Sequence, residues 1–117
     1  MEMTVLLGAA DPGWEPCLDE VARELAVVLG FDIVRAPSGE EMFLGGDDSV
    51  RVWLTSEPQE DEPHHSHPFI LDFTTNEPGM PYAQSLFDRL ANLGRYRLVL
   101  VIDHDCVRST HFPCEDW

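Results

Sequence analysis

The sequence predicts an α+β fold: a two-layer sandwich in which a mainly antiparallel sheet of five or six strands carries two helices on one face. Three observations lead there. Two segments repeat their apolar residues at helical spacing, and the β-like runs around them are short and rich in Val, Ile, Leu and Phe. The chain has 117 residues, of which 44% are hydrophobic and 25% charged, which suits one folded domain over residues 1–117.

The elements follow in order. Met3 to Ala9 is aliphatic and β-branched and reads as a buried strand, closed by the turn Asp11-Pro12-Gly13. Leu18, Val21, Ala22, Leu25, Val28 and Leu29 then share one face of a helix, with Asp19, Glu20, Arg23 and Glu24 opposite. Pro16 suits its start, and Gly30 suits the left-handed residue that ends it. Phe31 to Ala36 reads as a strand that Pro37-Ser38-Gly39 breaks. Met42-Phe43-Leu44 and Val50 to Thr55 flank Gly45-Gly46-Asp47-Asp48 as the arms of a hairpin. In the longer arm Val50, Val52 and Leu54 alternate with Arg51, Trp53 and Thr55, so Trp53 belongs to the less covered face.

Ser56 to Pro68 holds three prolines, four carboxylates and three histidines, and reads as a long exposed loop. Phe69 to Thr74 is the next strand. Pro81 to Leu93 is the second helix, with Tyr82, Leu86, Leu90 and Leu93 as its stripe and Gly94 after it. Arg97 to Asp103 is a near-continuous apolar run of the kind found in the middle of a sheet and covered on both sides. His104 to Trp117 has no clear period and reads as an irregular tail. The order β-α-β-β-β-β-α-β is that of a ferredoxin-like β-α-β…α-β frame with an inserted hairpin.

Charge decides what the molecule can bind. Asp and Glu number 22 against seven basic residues, a formal net charge of -15, and every basic residue is Arg. Nucleic-acid phosphates and anionic membranes both need basic clusters, so neither is an expected ligand. The start, Met-Glu-Met-Thr-Val-Leu-Leu-Gly, lacks the basic flank and apolar length of a signal peptide, and no run approaches the roughly 18 apolar residues of a membrane span. Cys17, Cys106 and Cys114 are therefore expected as reduced thiols of a cytoplasmic protein, although a Cys106–Cys114 bridge is sterically allowed.

Three constellations could carry chemistry. His64, His65 and His67 follow Glu60, Asp61 and Glu62, a set of zinc- or nickel-type ligands. They crowd into one proline-flanked loop with no frame to fix them, and the reading here is a solvated polar loop whose carboxylates raise the histidine pKa values. His104, Cys106, His111 and Cys114 have the atoms for zinc, or for a Cys–His nucleophile, without knuckle spacing; a structural tail is the expectation. Asp72 and Asp103 could pair at strand ends to hold Mg²⁺ or do acid–base work, but alternation puts Asp72 on the solvent side. Phosphate-cradling glycine loops and the Gly-x-Ser-x-Gly elbow are absent. No enzyme activity, metal or other cofactor is expected.

The positive signal is the acidic surface. Carboxylates cluster at Asp47-Asp48, at Glu57, Glu60, Asp61 and Glu62, and at Glu115-Asp116, and with Trp53 and Trp117 they form the candidate partner-binding set. In size, charge and α+β order the whole chain resembles the small acidic immunity proteins of bacterial polymorphic toxin systems. The resemblance rests on no residue motif and so transfers no binding residues. It implies a cytoplasmic inhibitor that occludes a cognate toxin, often a basic nuclease. The alternatives are a nucleic-acid mimic that blocks a DNA- or RNA-binding protein, and a small metal-binding or enzymatic domain.

Overall fold

A computed structural model describes residues 1–117. Seven strands form one antiparallel sheet: β1 Met3–Ala9, β2 Ile33–Arg35, β3 Met42–Gly46, β4 Val50–Ser56, β5 Phe69–Thr75, β6 Tyr96–Ile102 and β7 Asp105–Ser109. Their order across the sheet is β2-β3-β4-β5-β1-β6-β7. The helices are α1, Leu18–Leu29, and α2, Gly79–Asn92. The four strands β6-β1-β5-β4 reproduce the predicted ferredoxin-like frame, and β2 and β3 extend it at one edge.

Alternation along each strand separates the two faces. Met3, Val5 and Leu7 of β1, Val50, Val52 and Leu54 of β4, Phe69, Leu71 and Phe73 of β5, and Leu98, Leu100 and Ile102 of β6 are buried against the helices. Val21, Ala22 and Leu25 of α1 and Ala83, Leu86, Phe87 and Leu90 of α2 face them in the same cluster. α1 begins after Cys17 and ends at Gly30, whose φ of 84° is the left-handed conformation expected there. α2 begins at Gly79, two residues before the predicted start, because Pro81 still falls in the first turn, where no backbone N–H is needed. No helix is long and apolar enough to cross a membrane.

Three expectations need correction. The sheet has seven strands, not five or six. The additional strand, β7, lies in what the sequence presents as an irregular tail, and the short 3₁₀ turn Cys114–Asp116 follows it. A register shift between Leu100 and Val101 interrupts the pairing of β6 with β7, so strict alternation never develops in β7. Second, Cys106 and Cys114 form a disulfide, and only Cys17 is a free thiol. Third, the segment from Ser56 to Pro68 is an exposed loop over its acidic part, as predicted, but it is not solvated throughout, since Pro63 and His67 are buried. Glu57 N–H donates to the Pro68 carbonyl across its base (2.8 Å), and His65 and His67 donate to the carbonyls of Asp61 and Pro63 in a helical turn.

Candidate functional site

The face opposite the helices carries the candidate site. Registers align one row of side chains across six strands: Leu44, Trp53, Asp72, Thr4, Val101 and Cys106. Beside it runs a second row of Thr55, Ile70, Leu6, Val99 and Ser109. Gly8 and Arg97 pair in the next row.

Two chain segments close part of this face. The Ser56–Pro68 segment lies over Gly8, where an added Cβ would stand 1.7 Å from the Ser66 carbonyl oxygen, so glycine is what admits the loop. Leu6 and Val99 on this face are buried although no helix covers them. His67 is the polar anchor of this cover, only 1% exposed. Its Nδ1 lies 2.9 Å from the Pro63 carbonyl and must carry the proton to use that acceptor, which leaves Nε2 as an acceptor without a partner. Burial pushes its pKa below the usual histidine value, more than the Pro63 carbonyl and the Glu62 carboxylate raise it. The expected rise from neighbouring carboxylates is thus overturned at His67 by desolvation. Glu62 in turn accepts from the Ser66 N–H and hydroxyl, both at 2.8 Å, which holds its carboxyl below the ordinary range.

The second segment is the tail. The disulfide pins the 3₁₀ turn to β7, and the indole N–H of Trp117 donates to the His104 carbonyl (2.8 Å) with Phe112 edge-on to the ring. Between loop and tail the sheet stays open as a trough. It consists of two depressions of about 690 and 330 Å³ that share Thr4, Ile70, Asp72 and His104. Trp53, Glu57 and Glu2 border the larger, and Trp117, His64 and Leu6 the smaller.

The candidate partner-binding residues separate accordingly. Trp53, Glu57 and Trp117 come together around the trough, and Trp53 lies on the open face rather than under a helix. Asp47 and Asp48 line a different depression beside Arg51. Asp47 is also occupied in its own turn, accepting from the N–H groups of Ser49 and Val50 at 2.8 and 2.9 Å. Glu60, Asp61 and Glu62 are exposed on the outer turn of the loop, and Glu115 and Asp116 are exposed on the 3₁₀ turn. What the sequence leaves out is the floor, Thr4 and Ile70, because only the pairing register brings it between the tryptophans.

The other constellations come apart. With Cys106 and Cys114 bonded to each other, neither offers a thiolate to a metal or a substrate. His104 pairs with Glu2 at 3.2 Å. Asp103 accepts from the Glu2 N–H, whereas Asp72 accepts from the Thr4 hydroxyl, so the two carboxylates serve different partners. No three His, Cys, Asp or Glu side chains gather as a metal site.

Comparison with known proteins finds no matching family model, no matching curated protein and no matching solved structure.

Proposed function

We propose that this chain is a non-enzymatic acidic binding protein that neutralises a basic toxin domain by occluding it, in the manner of an immunity protein. The observation that carries the reading is the distribution of charge around the open sheet face. The larger depression is bordered by Glu2, Glu57 and Asp72 and by no arginine. Most arginines are committed elsewhere: Arg35, Arg95 and Arg108 to carboxylates, and Arg89 to the Val28 carbonyl. A negative field beside partly exposed tryptophans favours a cationic protein surface, with the charge accelerating encounter and the aromatic rings supplying contact area.

The reading takes the protein to be cytoplasmic and the partner to be a toxin of the same or a neighbouring cell. In a reducing cytosol Cys106 and Cys114 would be held largely as thiols, so the cystine bears directly on compartment. Alkylation of thiols in intact cells, followed by mass analysis, reads which form exists there.

The test of function is inhibition. The purified chain should bind a strongly basic toxin domain at one-to-one stoichiometry and abolish its activity. Association should slow as ionic strength rises from about 0.1 to 1 M, because the screening length falls from about 10 to 3 Å. A partner that is not basic, or an association rate indifferent to salt, overturns the reading.

A further inference from the structure

We infer that the trough receives an arginine side chain of the basic partner, with Asp72 as the pairing carboxylate and the Trp53 ring beside it. This rests on the proposed function and names the contact by which it would be exercised.

The argument comes from how the molecule treats its own arginines. Arg95 lies 4.3 Å from the Trp14 ring centroid and 2.6 Å from Glu24. Arg108 lies 4.3 Å from the Phe87 centroid and 2.8 Å from Asp88. Arg35 lies 5.0 Å from the Phe43 centroid and 3.0 Å from Asp19. In all three the planar guanidinium meets an aromatic face and a carboxylate together, a combination an ammonium group matches poorly. Trp53 and Asp72 are direct cross-strand partners and form a further aromatic–carboxylate pair. This pair has no arginine.

Asp72 is exposed and forms no ion pair. Its Oδ1 accepts from the Thr4 hydroxyl at 2.5 Å, while Oδ2 has no protein donor. An uncharged acceptor would satisfy Thr4 equally well, so the fold does not account for a full charge here. The row around it is Leu44, Trp53, Thr4 and Val101, which contains no cation, and Arg51 in the adjacent row forms no ion pair with it. Glu57 on the rim adds to the negative field, while Glu2 is paired with His104. The occupant that complements this geometry is a guanidinium on a protruding segment of the partner, stacked on the indole and hydrogen-bonded to Asp72.

The probe is the capped tripeptide acetyl-Gly-Arg-Gly-amide, titrated into the full chain near about 0.15 M ionic strength. Its citrulline counterpart keeps the shape and removes the charge. Nuclear magnetic resonance reads the Trp53 indole N–H and the amides of Thr4 and Asp72. The expected result is a saturable shift at these groups, weakened about tenfold by citrulline and by Asp72→Asn, which keeps an acceptor for Thr4. Glu40→Gln with Glu41→Gln, exposed and away from the trough, should leave it unchanged. Shifts centred on Glu60–Glu62 or Asp47–Asp48, or an Asp72→Asn variant that binds as the wild type does, overturn the trough assignment while the basic-partner reading stands. A captured toxin that is not basic overturns that reading whatever the tripeptide does.

Discussion

The two faces of the sheet are built from the same strands but closed by different means. Under the helices, aliphatic and aromatic side chains from β1, β3, β4, β5 and β6 interlock with those of α1 and α2 in one continuous cluster. On the opposite face the cover is a proline-rich loop at one end and a cystine-pinned tail at the other, with an open trough between. One face derives its stability from burial, the other from a few specific attachments. A recognition surface can then be carried on the second face without disturbing the first.

The largest expected effect tests that division directly. Phe73 and Trp53 are large aromatic residues on adjacent paired strands, but Phe73 is 1% exposed beneath the helices while Trp53 is partly exposed in the trough. Phe73→Ala should cost about 3–5 kcal/mol in chemical denaturation. Trp53→Ala should cost only about 1 kcal/mol, since one side of the ring has little to lose. Equal losses would mean that both faces are core and that the trough is no separate surface.

The next effect belongs to the tail. The Cys106–Cys114 bridge spans a sequence separation of 8, and closing so short a loop contributes about 2–3 kcal/mol through the unfolded state. Replacing both cysteines by serine should lower stability by that amount. It should also loosen Trp117, seen as a shift in its fluorescence, while leaving the helix-covered core intact. A double variant as stable as the wild type would show that the tail is held by the Trp117–His104 hydrogen bond and β7 pairing alone.

At the other end, Gly8→Ala should cost about 1–3 kcal/mol, because the new methyl group meets backbone rather than a yielding side chain. The loop must lift, and proteolysis between residues 57 and 68 should accelerate. Unchanged loop protection would refute the close approach at Ser66.

The same contrast explains what the sequence made legible. Helix-facing residues announce themselves by period, and β1, β4, β5 and both helices fall within a residue or two of where alternation and helical spacing put them. Alternation also put Trp53 on the face opposite Val52 and Leu54, but did not say which of the two faces the helices cover. β7 was not legible, because its pairing carries a register shift and because Arg108, which faces the helices, is a charged residue that Phe87, Gln84 and Asp88 accommodate. Nor was the trough, whose row of Trp53, Asp72, Thr4 and Val101 draws on four separated strands. Gly8 was the one local clue to the loop's position, a glycine inside an otherwise apolar strand.

The smallest effect isolates the loop's polar anchor. His67 is held neutral by burial, with Pro63 accepting from its ring and Nε2 unpartnered. The charged and titratable groups that act on it are Glu62, which favours protonation, and Arg97 and His111, which oppose it. Its folded pKa lies below the value in the unfolded chain, so the unfolded state takes up the proton first as pH falls. Stability from this residue is therefore complete above the ordinary histidine pKa of about 6.5 and declines as pH drops from there toward the lower folded value, below which it levels off. His67→Gln removes the titration and keeps a side-chain amide donor for Pro63. Subtracting its stability–pH curve from that of the wild type cancels the carboxylates and the remaining histidines common to both. The difference should be flat at neutral pH and bend against the wild type below about 6.5. Loop protection, followed by hydrogen exchange at Ser66 and His67, should weaken over the same interval. A difference curve that stays flat to pH 5, or one that bends in the wild type's favour, would mean that water or Arg97 already satisfies Nε2 and that the loop's seat over Gly8 does not depend on a neutral ring.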